Sequence, residues 1–180
     1  MRKRISRLDW REKTLLALFC FTAAIAALGA AGARFNTSGS IAVGLYWRVD
    51  SPPEKGRYVM FCPPKKEAFD LALARHYIAA GSCPGGYGKM MKRILAAKND
   101  EVTTTDEGVF VNGKLLPHSA ILKADQGGRG LPRWSADRYR LKGEELLLMT
   151  DVLDTSFDSR YFGLVGQAQI VNVIRPVFTF

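Results

Sequence analysis

The sequence predicts a predominantly antiparallel β domain carried behind one membrane-spanning helix. Three observations predict it: an uncharged apolar run from Thr14 to Ala33, a series of short β-prone runs divided by turn residues, and a single stretch with helical spacing after residue 34. The chain has 180 residues. That length allows one folded domain, 34–180, behind a basic segment, 1–13, and an anchor, 14–33.

The apolar run is long enough to cross a bilayer as a helix, which takes roughly 20 residues. Ahead of it stand Arg2, Lys3, Arg4, Arg7, Arg11 and Lys13 against Asp9 and Glu12, a net of +4 within a total of +9. Such a cluster is retained on the cytoplasmic side. No nucleic-acid-binding motif accompanies it, so no nucleic-acid partner is expected. The competing reading of the run is a cleavable signal peptide, because Ala31-Gly32-Ala33 resembles a small-residue cleavage site. The run exceeds the roughly 7–15 apolar residues of such peptides, which favours an uncleaved anchor. Either reading exports residues 34–180, so the expected location is a bacterial inner membrane, crossed once, with the C-terminal domain in the periplasm.

The elements follow in order. Leu45–Val49 and Tyr58–Cys62 are β-prone runs separated by the turn-rich Ser51-Pro52-Pro53-Glu54-Lys55-Gly56. Phe69, Leu73, Tyr77 and Ala80 return at helical spacing and predict a helix over 66–80. Met90 to Ala96 returns to strand character. Asp106-Glu107-Gly108 joins Glu101–Thr105 to Val109–Val111 in a hairpin, and Asn112-Gly113 supplies the next tight turn. Residues 119–135 read as a loop, Leu146-Leu147-Leu148-Met149 as a buried strand, and Gly163 to Phe178 as one or two more.

Export gives the cysteines their meaning. Cys20 lies inside the apolar run, whereas Cys62 and Cys83 fall in the exported part, where a disulfide persists. Their bridge would close a loop of about 20 residues, for about 3 kcal/mol of stability. Neither CxxC spacing nor nearby histidines accompany them, so they make a poor metal site.

Three short stretches carry chemistry: Ser38-Gly39-Ser40, Met91-Lys92-Arg93 and Ser156-Phe157-Asp158-Ser159-Arg160. A serine hydroxyl becomes a nucleophile when a neighbour takes its proton, and a lysine can do so once burial strips its charge. On a strand, Lys92 shares a face with Met90, Ile94 and Ala96, while Lys89 shares one with Met91 and Arg93. The apolar flank favours Lys92 as base. Ser40 would attack, with its own N–H and the Ser38 hydroxyl serving the oxyanion. Ser156 would hold the amine in line, and Asp158 would pair with Arg160, a pair equally at home on the surface. A histidine base would have to be His76, in the predicted helix, or His118, after Pro117. No Gly-x-Ser-x-Gly elbow or His-Glu-x-x-His motif occurs, and the chemistry requires no metal or cofactor.

These stretches resemble those of the type I signal peptidases, and more narrowly of the TraF-type peptidases of conjugative plasmid transfer. The resemblance runs through Ser38-Gly39-Ser40-Ile41, through Lys92-Arg93 followed by Asp100, and through Asp158-Ser159-Arg160-Tyr161-Phe162-Gly163. The TraF character lies in Asn36-Thr37-Ser38, Val43-Gly44-Leu45-Tyr46, Cys83-Pro84-Gly85-Gly86 and Leu131-Pro132-Arg133-Trp134. The resemblance implies a signal-peptidase-like coiled β fold on the membrane surface, with Ser40 as nucleophile, Lys92 as general base, Ser38 as oxyanion donor, Ser156 as orienter, and Asp158 and Arg160 as supports. It also implies a substrate, the conjugative pilin precursor, cut or cut and closed into a ring, and contact with other conjugative transfer proteins. Ile41-Ala42-Val43 where the family has proline, Ala96-Ala97-Lys98-Asn99 after the base, and Thr150-Asp151-Val152-Leu153 point to a specialised processor rather than a housekeeping one. The alternative is an anchored structural component that has lost catalysis.

Overall fold

A computed structural model describes residues 9–180. Arg2, Lys3, Arg4 and Arg7 of the basic segment lie outside the described residues. Helix α1, Trp10–Ala31, is 22 residues long, and none of its side chains is buried against the domain. At about 1.5 Å per residue it spans about 33 Å, enough for a hydrocarbon core. It starts one turn ahead of the uncharged run because Asp9 and Glu12 close a capping box, with Glu12 N–H donating to Asp9 Oδ1 at 2.8 Å. Gly32, at φ 123°, ends it, so Ala33 is already the first residue of strand β1. Arg34 ties helix to domain: its Nη1 donates to the Gly29 and Ala33 carbonyls, both at 2.8 Å.

The strands are β1 (Ala33–Asn36), β2 (Gly44–Val49), β3 (Tyr58–Phe61), β4 (Met90–Ala96), β5 (Glu101–Thr104), β6 (Val109–Val111), β7 (Lys114–Leu115), β8 (Tyr139–Arg140), β9 (Glu145–Met149), β10 (Val165–Gly166) and β11 (Ile170–Thr179). All pairings are antiparallel. Seven strands form one sheet in the order β1-β2-β11-β3-β4-β9-β10, and β7-β6-β5-β8 form a second. Strand β9 serves both cores. Leu146 and Leu148 face the larger core with Val59, Phe61, Ile94 and Phe162, whereas Leu147 and Met149 face the smaller one with Val102, Val109 and Leu141. Period-2 alternation thus explains why four successive apolar residues are all buried.

The predicted helix over 66–80 is shorter than its spacing implied. Helix α2 covers only Glu67–Ala74, because Arg75 caps it and His76 takes φ 60°. Tyr77 still packs on the same core as Phe69 and Leu73, so the spacing identified a face rather than a length. Ala80 instead bridges Tyr87. The Cys62–Cys83 disulfide, with Cα atoms 5.4 Å apart, staples this α2 excursion to the end of β3. Helix α3, Ser159–Phe162, begins within the last chemical stretch and is fully buried.

Replacing Cys62 and Cys83 together by alanine should cost about 3 kcal/mol and lower Tm by roughly 6–12 °C. Thermal unfolding of the full chain in detergent checks this; an unchanged Tm would remove the staple's structural role.

Candidate active site

Lys92 stands in the middle of β4, paired opposite Val59 of β3. The strand alternates strictly between buried and half-buried positions, with Met90, Lys92, Ile94 and Ala96 on the buried side. A bulge does interrupt the β4–β9 pairing, but between Ile94 and Ala96, beyond the lysine. Lys89 precedes the strand and is exposed. The Lys92 side chain is completely buried. Burial lowers its pKa from the ordinary 10.5 to about 8; the Arg160 guanidinium acts in the same direction and Asp158 against it. Between about pH 8 and 10.5 the unfolded chain therefore binds more protons here than the folded one, and this group's contribution to stability rises with pH across that window.

The Lys92 amine is not in direct hydrogen-bond contact with Ser40. Nζ donates to Ser156 Oγ at 2.5 Å, and Ser156 Oγ lies 3.4 Å from Ser40 Oγ. The three side chains make a continuous polar chain across 116 residues of sequence separation, leading from the sheet interior to a cleft of about 390 Å³. Ser40, half-buried, and Ser156 both line that cleft. Among the described residues no acceptor takes the Ser40 backbone N–H, which leaves it available to a ligand oxygen. The Ser38 hydroxyl is engaged elsewhere, donating to Asn36 Oδ1 at 2.9 Å. To donate to an oxyanion it would have to release that acceptor.

Asp158 and Arg160 are not a surface pair. Both are fully buried, and the guanidinium grips the carboxylate through Nε and Nη2, each at 2.8 Å. The remaining donors hold the carbonyls of Ser156 at 3.0 Å, Asp154 at 2.9 Å, Ala120 at 2.8 Å and His118 at 3.1 Å. Arg160 thereby fixes the loop that carries Ser156, and five hydrogen-bonding directions on a rigid plane are what a lysine there could not supply. A second clamp joins Arg93, next to Lys92, to Asp151, with the Arg93 guanidinium 5.4 Å over the Tyr58 ring. His118 pairs with Asp154 at 2.9 Å on the surface and His76 is exposed; neither touches Ser40. Among the described residues no group of three or more His, Cys, Asp or Glu side chains is placed to hold a metal.

A family model described as signal peptidase, peptidase S26, matches residues 13–179. The chain belongs to the signal peptidase S26 family. The plasmid transfer protein TraF of Escherichia coli is 63% identical over 150 residues, which cover 83% of this chain and 85% of that protein. The conjugal transfer protein TraF of Agrobacterium fabrum is 31% identical over 152 residues, 83% of this chain and 84% of that one. A crystal structure of signal peptidase I from Enterococcus faecalis aligns at 17% identity and a TM-score of 0.42, over 69% of this chain and 98% of that one. The assignment to the signal peptidase family rests on the sequence matches rather than on that likeness.

One organiser of this peptidase-family site had no assigned role in the sequence reading. Asn36 ends β1 with its side chain buried under the Ser38–Ser40 turn. Its Nδ2 donates to the carbonyls of Ser38 at 2.7 Å, Ile41 at 2.9 Å and Ala42 at 3.1 Å, while Oδ1 accepts from the Ser38 N–H at 3.2 Å. Ile41 anchors the other side, fully buried against Tyr46 and Ile174. Burial pushes the Tyr46 phenol up to about 12, with Tyr58 and Asp151 adding to the shift, so it stays a neutral donor to the Ala42 carbonyl at 2.7 Å. The Asn-x-Ser pattern of an Asx turn was the signal that could have found Asn36.

Asn36→Ala should leave the domain folded but destabilise it by about 1–3 kcal/mol, because the carbonyls of Ser38, Ile41 and Ala42 lose their donor, while lowering any Ser40-dependent peptide cleavage by about 100-fold through loss of nucleophile placement. Full activity in that variant would mean the turn holds its shape without the amide.

Proposed function

We propose that the chain is a membrane-anchored serine endopeptidase in which Ser40 is the nucleophile and Lys92 the general base, and that its substrate is an exported pilin precursor of conjugative plasmid transfer. The observation that carries this reading is the hydrogen-bonded run from buried Lys92 through Ser156 to Ser40 at the mouth of a cleft. Ser40 Oγ attacks the scissile carbonyl as its proton passes by way of Ser156 Oγ to the neutral Lys92 amine, once the two hydroxyls turn so that Ser40 donates to Ser156 and Ser156 to Nζ, the reverse of their resting directions. The carbonyl oxygen takes the free Ser40 N–H, with Ser38 joining once its hydroxyl turns from Asn36. Lys92, now an ammonium, returns the proton to the leaving amine, and water or a second amine then releases the acyl group from Ser40.

Anchoring follows from α1, and export of the domain from the basic residues ahead of it. Cleavage after Ala33 would strip the first residue from β1, which supports an uncleaved helix. The aromatic side chains Phe35, Phe178 and Phe180 are exposed by 68%, 66% and 81% on strands β1 and β11 and just beyond. Phe35 and Phe178 both pair opposite Leu45, close to where α1 enters the domain. Such a patch fits a lipid surface better than water. The TraF names of the relatives supply the conjugative context.

Co-expression of the full chain with a candidate pilin precursor, followed by intact mass measurement, tests this. Ser40→Ala and Lys92→Ala should each abolish processing while the protein remains folded and membrane-bound. A product one water lighter than the linear one identifies ring closure. Processing that continues in both variants would leave an anchored structural component as the better reading.

Because the free-base lysine is the active form, kcat/KM should rise with pH and level off above a midpoint near 8. A pH–rate profile on a Ser40-dependent substrate measures it. A midpoint near 6.5 would indicate a histidine base instead.

A further inference from the structure

The cleft that opens at Ser40 has a second wall with no part in the proton chain. It is built from the end of α2 and the loop 123–131, and it brings Arg75, Tyr77, Asp125 and Arg129 to the same cavity as Ser40 and Ser156. Asp125 is saturated. Its Oδ1 accepts from the N–H groups of Gly127 at 2.9 Å and Arg129 at 2.8 Å, and its Oδ2 from Arg129 Nε at 2.6 Å and from the Tyr77 hydroxyl. The Tyr77 hydroxyl and Arg129 hold this carboxyl well below the usual carboxylate range, so it remains an anion. One carboxylate thus balances one guanidinium, that of Arg129.

Arg75 is the surplus charge. It is half-buried, and Nη1 is anchored on the Gly130 carbonyl at 2.7 Å and near the Tyr77 hydroxyl at 3.5 Å. Among the described residues it has no carboxylate partner. Its fork is held still while Nε and Nη2 stay uncommitted, and the cavity it faces also carries the apolar side chains of Leu131, Leu153 and Phe157. The wall is also mechanically joined to the reacting groups. Arg129 lies over the Tyr77 ring at 5.6 Å, and Tyr77 packs against Phe157, next to Ser156, with ring centroids 5.6 Å apart. A fixed, unpaired guanidinium in a half-apolar cleft is a receptor for a planar anion.

We propose that Arg75 is a specificity-determining residue that receives a carboxylate of the substrate peptide close to the scissile bond. This rests on the endopeptidase reading above, since a peptide in the cleft offers two such groups: an Asp or Glu side chain, or its own C-terminal carboxylate. The Asp125–Tyr77–Arg129 cluster is the buttress that keeps Arg75 aimed.

The test uses the full chain in lipid nanodiscs and a library of synthetic peptides with alanine ahead of the cut. Each peptide is made with Glu or Gln in the flanking positions and with a free or amidated C-terminus. Wild type should favour the charged member of one pair by roughly 10- to 100-fold in KM, the effect of a charge-assisted hydrogen bond, with kcat moved far less. Arg75→Gln should collapse that preference to about one, and Arg75→Lys should restore part of it. Preference in the Glu/Gln pair assigns a side chain; preference in the acid/amide pair assigns the C-terminus. Ser40-dependent cleavage indifferent to both, or an Arg75→Gln variant that loses kcat on every peptide alike, overturns the proposal while leaving the endopeptidase reading intact. Cleavage by wild type that Ser40→Ala does not remove overturns both.

Discussion

A lysine amine enclosed in a β-sheet is the constraint on which the site depends. An ammonium in that position would cost several kcal/mol of lost hydration, so the protein holds Lys92 with a pKa near 8 and gives the amine one short hydrogen bond, to Ser156. That solution is only as good as the placement of Ser156, which sits on an irregular stretch between β9 and α3. Hence the concentration of buried polar groups behind it: Asp158 and Arg160, both inaccessible to water, convert six hydrogen bonds to carbonyl and carboxylate oxygens into a fixed loop. The same guanidinium helps lower the lysine's pKa. One arginine therefore acts structurally and electrostatically at once.

Ser40, the proposed nucleophile, is positioned by a separate device. Asn36 substitutes its amide for backbone partners that the Ser38–Ser40 turn lacks, and Ile41 and Tyr46 fasten the turn to the sheet face. Two scaffolds, one per reacting side, meet at 3.4 Å between the Ser156 and Ser40 hydroxyls. The comparatively long gap sits at the cleft mouth, where a bound peptide would exclude water and draw the two scaffolds together. Catalytic hydrogen bonds commonly tighten only when the substrate arrives.

Much of the domain was legible because its signals are local. Strand alternation separated Lys92 from Lys89, the Asp106-Glu107-Gly108 turn located the β5–β6 hairpin and Asn112-Gly113 the turn that follows it, and the apolar run located α1 to within a turn. Three features escaped for physical reasons. Strands β1, β7 and β8 have four residues or fewer, too few to show a period, and exist because a partner strand pairs with them. Helix α2 stops at Ala74 because the chain is turned back at His76, beside a disulfide-stapled excursion that no periodicity reports. An Asp-x-Arg pair reads the same whether it is buried or solvated, since its burial is set by residues 118–120 and 154–156 packing around it.

By itself the sequence determined the class of structure, an apolar segment long enough to cross a membrane, the family and the residue types available for catalysis. Each of these depends on composition, short-range pattern or motif spacing along one stretch of chain. Tertiary structure alone decided that Ser40, Lys92 and Ser156 share one hydrogen-bonded path, that Ser38 is committed to Asn36, and that Arg75 faces the same cleft without an acidic partner. Those facts depend on burial and on distances between segments far apart in sequence, quantities that arise only when the sheet closes and water is expelled.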